Sequence, residues 1–118
     1  MVQVVDKQIE VYLEFNRRLR TRLRALLTPE LIAEHEANPL GPHSDALQRV
    51  LNYFRQQPQP GKYILVAAEP WEEYRIALLS GQRGHLHEVL DDERFASEEA
   101  GLHGIFLRRV RDLEAADA

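Results

Sequence analysis

The hydrophobic period of this chain changes at a run of chain breakers, Gln57-Pro58-Gln59-Pro60-Gly61, and no single-class fold accommodates both sides of that change. Ahead of it, Val5, Ile9, Tyr12, Leu19, Leu23 and Leu26 recur at steps of three, four or seven, with Phe15 beside them. At 100° per residue they form one stripe, which predicts a helix from about Val4 to Leu27. Thr28-Pro29 ends it and opens a second, short helix to about Ala37, with Thr28 as cap and proline at the first position. Asn38-Pro39-Leu40-Gly41-Pro42 is loop. Ser44 or Asp45 caps a third helix whose apolar face is Ala46, Leu47, Val50, Leu51 and Phe54.

Beyond the breakers, Lys62–Ala68 is rich in aromatic and β-branched residues and too short for a helix, so it reads as a strand. Glu69-Pro70-Trp71-Glu72 reads as a turn and Glu73–Ser80 as the paired strand, although Trp71, Tyr74 and Leu78 also fit a helix. Gly81-Gln82-Arg83-Gly84 is a tight turn, His87–Leu90 a short third strand, and Asp91-Asp92-Glu93-Arg94 a lead into the last helix. Ser97 caps that helix. Glu98 and Glu99 suit the positive end of its dipole, Arg108, Arg109 and Arg111 the negative end, and Leu102, Ile105, Phe106, Val110 and Leu113 its buried stripe. Gly101 and Gly104 each weaken it by ~1 kcal/mol against alanine, a cost that close packing against another element would offset. The order of elements predicts one α+β domain over 1–118: a helical part over 1–57, an antiparallel hairpin or meander over 62–90 and a C-terminal helix over 97–115.

A chain of 118 residues buries about two thirds of its unfolded surface if it folds alone, leaving roughly 6,600 Å² exposed. It has no cysteine, which excludes a disulfide scaffold, thiolate catalysis and thiolate metal sites. Fifteen basic against nineteen acidic groups give a net charge of −4, which disfavours general nucleic-acid coating. The charge is uneven: eight basic and seven acidic groups over 1–60 (net +1), seven and twelve over 61–118 (net −5). Thirteen of the fifteen cations are arginine, which suits bidentate pairing at interfaces and is also what a GC-rich genome supplies. The N-terminus carries Asp6, Glu10 and Glu14 where a signal peptide needs an apolar run, and Tyr63–Ala68 is far shorter than the ~20 residues of a membrane span. The expectation is a cytoplasmic protein.

Little in the sequence reads as chemistry. Arg17, Arg18, Arg20, Arg22 and Arg24 resemble a nucleic-acid helix locally, but they flank the apolar stripe on both sides, as solvated or partner-pairing edges do. His85 and His87 would share one side of a strand, a spacing compatible with a metal, yet no firm third ligand accompanies them. His35, beside Glu34 and Glu36, and His43, in the proline loop, have less context still. His103, mid-helix beside the buried stripe, reads as a packed or interface histidine rather than a general base. Ser44 and Ser97 are caps, no glycine-flanked serine elbow exists, and Gly81-Gln82-Arg83-Gly84 lacks the lysine and hydroxyl residue of a phosphate loop. The aromatics point to binding: Tyr53, Phe54, Tyr63, Trp71 and Tyr74 fall within 22 residues.

Four blocks of this sequence resemble the small (alpha) subunit of bacterial N,N-dimethylformamidase. They are His35-Glu36-Ala37-Asn38-Pro39; Asn52-Tyr53-Phe54-Arg55 with Gln57-Pro58 and Gly61-Lys62-Tyr63; Trp71-Glu72-Glu73-Tyr74-Arg75-Ile76-Ala77; and Asp92-Glu93-Arg94-Phe95 with Ser97-Glu98-Glu99, His103 and Phe106-Leu107-Arg108-Arg109. The blocks keep their order, and nearly their spacing, from about Leu31 to Leu113. The resemblance implies a small subunit paired with a much larger chain in a multimer that hydrolyses dimethylformamide to dimethylamine and formate. In that family the large subunit carries the mononuclear iron with its tyrosine and glutamate ligands, so no catalytic, cofactor or metal residue carries over to this chain.

The expectation is therefore a non-catalytic accessory subunit that binds and stabilises a large iron-dependent amide hydrolase subunit. Tyr53, Tyr63, Trp71, Tyr74 and Arg75 are expected near the contact, with Arg108 and Arg109 as charge partners. The alternative is a free-standing binding or regulatory module whose Arg17–Arg24 helix meets an acidic partner or nucleic acid. A third reading is a small metal enzyme using His85 and His87.

Overall fold

A computed structural model describes residues 2–58, 61–69, 73–84 and 87–117. Four helices and one sheet follow in the order α1 (Val2–Leu26), α2 (Pro29–Ala37), α3 (Asp45–Arg55), β1 (Tyr63–Glu69), β2 (Glu73–Leu78), β3 (Glu88–Phe95) and α4 (Glu98–Ala115). This is the α+β plan expected. The caps are those the sequence offers: Thr28, Ser44 and Ser97 accept from the backbone N–H groups of Leu31, Leu47 and Ala100.

The strands form an antiparallel meander, β1-β2-β3. Glu73–Leu78 is a strand, which resolves the helical alternative for that stretch; Trp71 and its neighbours at 70 and 72 lie outside the described residues. Leu65, Ile76 and Leu90 sit in one cross-strand row. The far end of the hairpin is closed by Gly61, in a left-handed conformation (φ 75°), whose N–H donates to the Leu79 carbonyl at 2.9 Å. The third strand is longer than the sequence reading had it. Asp91–Arg94 belong to β3 and do not lead into the last helix. They escape notice because this edge strand is almost wholly exposed and acidic, as edges that avoid pairing with other chains often are.

Helix α4 bridges the sheet and the helices. A Cβ placed on Gly101 would lie 2.5 Å from Leu65 Cδ1, and one on Gly104 would overlap the Phe95 ring, so both glycines mark where α4 presses onto the sheet. The other side of α4 supplies Phe106, Val110 and Leu113 to a core shared with Leu23, Leu31, Leu47, Val50, Leu51 and Phe54. Arg108, Arg109 and Arg111 lie before the last turn of α4, not at its end. Its terminal carbonyls are served by α1 instead: Arg24 Nη1 donates to the Leu113 and Ala116 carbonyls, each at 3.2 Å.

The α1 stripe divides. Leu19, Leu23 and Leu26 pack on the core, while Ile9, Tyr12 and Phe15 are exposed together with Val11 and Leu13. The helix thus runs on past the body of the molecule. The radius of gyration is 16.6 Å, against roughly 13.5 Å for a compact chain of this length.

Candidate functional site

Three of the expected interface residues converge. Tyr53 from α3, Tyr63 from β1 and Arg109 from α4 line one cleft of about 320 Å³, with Phe54, Pro58 and Lys62 at its walls. The Tyr63 hydroxyl donates to Asp112 Oδ2 at 2.6 Å, and Arg109 Nη2 donates to the Tyr63 carbonyl at 3.3 Å. Burial, together with the bond to Asp112, pushes the Tyr63 phenol up to about 12, so it stays protonated as a donor. Burial pulls the Arg109 guanidinium below the usual arginine range; the nearby Arg55 adds to this and Tyr63 opposes it. The cleft can hold a small polar group against aromatic walls.

The remaining expected residues lie on the sheet side. Tyr74 is half-buried in β2, between Ala67 of β1 and Phe95 of β3. Arg75 bonds Glu73 at 3.1 Å and Asp91 at 2.7 Å. Arg108 reaches Asp92 at 2.6 Å and Glu93 at 2.8 Å. Burial opposes its charge, but those two carboxylates more than offset that and hold it above the usual arginine range. Arg75 and Arg108 therefore brace the acidic β3 strand. Trp71 is outside the described residues.

Most of the arginine cluster of α1 is used internally. Arg17 and Arg18 both bond Glu14. Arg20 forks onto Asp117 with two bonds of 2.8 Å, and Arg24 meets the same carboxylate at 3.2 Å. The hydrogen bond from Arg20, with help from Arg24, draws the Asp117 carboxyl down to about 2. Arg22 is exposed. Four of the five cations thus already serve acceptors of this chain. His87 is exposed, His85 lies outside the described residues, and no group of three His, Asp or Glu among the described residues is arranged to hold a metal ion.

Two features went unnoticed in the sequence. The first is a histidine stack. His35 of α2 and His103 of α4 are both buried, with their Nδ1 atoms 2.9 Å apart, and His35 stacks on Phe106 at 4.0 Å and on His43 at 5.9 Å. One Nδ1 must donate and the other accept, so the two rings cannot both be charged. Burial, with opposition from His103 and His43, pushes His35 down to about 4, and burial also lowers His103. His103 Nε2 lies 3.3 Å from Glu36 Oε2 without forming a hydrogen bond. The signal was weak because the two histidines are 68 residues apart. The second is the free end of α1, where Val11 is 71%, Tyr12 66% and Phe15 61% exposed. Five large apolar side chains within seven residues form a patch of a kind that monomers rarely leave uncovered. Val11 and Leu13, apolar residues beside the stripe, were the available signal.

Among the described residues no helix is long and apolar enough to cross a membrane. The family described as N,N-dimethylformamidase alpha subunit matches residues 10–118. The N,N-dimethylformamidase alpha subunit of Alcaligenes sp is 42% identical over 115 residues, covering 93% of this chain and 86% of that protein. The protein of the same name from Paracoccus aminophilus is 41% identical over 116 residues, covering 92% of this chain and 79% of its own length. With so much of both chains matched at such identity, this chain belongs to the N,N-dimethylformamidase alpha subunit family.

Proposed function

We propose that the chain is a non-catalytic accessory subunit of an amide hydrolase resembling dimethylformamidase, which converts dimethylformamide to dimethylamine and formate. Its task is to bind and stabilise a large catalytic subunit in a hetero-oligomer, in the cytoplasm of a bacterium. The iron of the reaction belongs, in this reading, to the large chain. The name shared by the relatives supports a subunit role.

The observation that carries the reading is surplus surface. The chain exposes 8370 Å², against roughly 6,600 Å² for a self-sufficient monomer of its size. The excess is of the order that a standard interface removes from a partner or more. Among the described residues, five of the eight exposed large apolar side chains lie on α1, from Ile9 to Phe15, where burial would be most favourable. Tyr53, Tyr63 and Arg109 extend the contact into the cleft. Tyr74, Arg75 and Arg108 extend it over the sheet, and Trp71 is expected to join the contact.

The test is purification of the tagged chain from its own host under gentle salt, with mass spectrometry and iron analysis of what co-elutes. A single large iron-containing chain in near-equal molar amount is the expected result. Recovery of the small chain alone would sink the reading.

A further inference from the structure

Among the described residues five arginines are half-buried: Arg20, Arg24, Arg75, Arg108 and Arg109. The first four each meet a carboxylate of this chain within 3.2 Å. Among the described residues Arg109 meets none, and its one hydrogen-bond partner there is the Tyr63 carbonyl, at the outer limit of a hydrogen bond. A guanidinium offers five N–H donors, and a partly desolvated one without counter-charge is costly to keep.

The surroundings sharpen the point. The groups facing Arg109 are Asp112, Lys62, Arg55 and the two tyrosines. Asp112, the only acid among them, is engaged by the Tyr63 hydroxyl at 2.6 Å. Lys62 donates to the Arg55 carbonyl at 2.9 Å. Two lining cations, Lys62 and Arg109, with Arg55 nearby, against one occupied carboxylate leave the cleft positive. Its walls, Tyr53, Phe54, Pro58 and Leu113, are apolar or aromatic. A volume of about 320 Å³ is at the bottom of the range for small-molecule sites and suits a single side chain with a methylene stem. The cleft also adjoins α1, because the Arg20 guanidinium of that helix lies close to Tyr53.

We propose that Arg109 is the seat for one acidic side chain presented by the large partner chain, which enters the Tyr53–Tyr63 cleft and pairs with the guanidinium. The proposal rests on the accessory-subunit reading. It adds the chemistry of the partner's contacting group, a carboxylate on a short apolar stem.

Calorimetric titration of the full chain with the purified large chain tests it, using wild type, Arg109→Gln, Arg109→Lys and, as control, Arg94→Gln on the exposed β3 edge. Arg109→Gln is expected to weaken assembly at least tenfold, Arg109→Lys less, and Arg94→Gln by under twofold. The melting temperature of free Arg109→Gln should equal or exceed that of wild type, because an uncompensated cation has been removed. A clear fall would assign Arg109 to the fold and overturn the proposal. So would Arg109→Gln assembling within twofold of wild type, which leaves the accessory-subunit reading intact. Arg109-dependent, saturable binding of millimolar sodium acetate to the free chain, undisturbed by the large chain, would make a free small carboxylate the occupant and also overturn it. If wild type does not bind the large chain, the accessory-subunit reading fails first and takes this one with it.

Discussion

The two halves of α1 both carry large apolar side chains and meet opposite fates. From Leu19 onward, apolar side chains enter the core, Arg20 and Arg24 fork onto Asp117, and Arg24 caps the carbonyls of α4. From Ile9 to Phe15, equally large apolar side chains face outward. Amphipathic pattern alone does not tell a core-facing stripe from a partner-facing one. What distinguishes them is whether the rest of the chain supplies a surface, and here it does so for only one half. The inner half should carry the stability of the fold and the outer half the stability of the assembly.

The sharpest test of this division sets Leu23→Ala against its outer counterparts. Leu23 is buried, and its truncation should cost the free chain roughly 3 kcal/mol, read from urea denaturation. A loss below about 1 kcal/mol would show that the inner half does not carry the fold.

Acid comes next. A histidine whose folded pKa is held below its unfolded value near 6.5 favours the neutral state. The folded chain then binds fewer protons than the unfolded one between the two values, and stability falls as pH drops. With His35 at about 4, stability should be full above about pH 6.5 and decline by roughly 2–3 kcal/mol towards pH 4, below which Asp117, held at about 2, adds a further loss. His103, shifted the same way, adds to the decline. Denaturation midpoints across that window check this. His35→Gln should flatten the slope, and an equal slope in the variant would remove the stack as its source.

Asp117→Asn, which breaks the fork with Arg20 and Arg24, should destabilise the free chain modestly, as loss of a well-formed but accessible ion pair does. Its melting temperature should fall by a few degrees, and by less in high salt. The smallest effect on the fold belongs to the outer half. Tyr12→Ala with Phe15→Ala should change free-chain stability by less than about 0.5 kcal/mol each, yet weaken binding to the large chain tenfold or more. A large loss of free-chain stability, or undiminished assembly, would break the comparison.

Much of the fold was legible because its signals are local. Thr28, Ser44 and Ser97 cap the helices they precede, and the breakers at 57–61 separate helix from strand as their chemistry requires. Gly101 and Gly104, which look like defects in α4, mark its approach to Leu65 and Phe95. The illegible parts are those set by tertiary partners. Asp91–Arg94 has the composition of a solvated turn and becomes a strand because β2 offers it a ladder and Arg75 and Arg108 balance its charge. The histidine stack needs α2 and α4 to be brought together. In the cleft, the aromatic cluster hinted at Tyr53 and Tyr63. The isolation of Arg109 was invisible, since nothing in spacing reveals which of thirteen arginines will lack an acid.

The clasp between Arg20 and Asp117 joins positions 97 residues apart. Such a contact closes one of the longest loops this sequence allows, so it forms late, after local helices and the meander hairpin. Until then the outer end of α1 is a greasy rod, held to the body through Leu19, Leu23 and Leu26. During synthesis and early folding it is therefore the segment most open to capture, by a chaperone, by another nascent copy or by its intended mate. The order of events, as much as the final geometry, then decides whether the small chain is made well without its large companion.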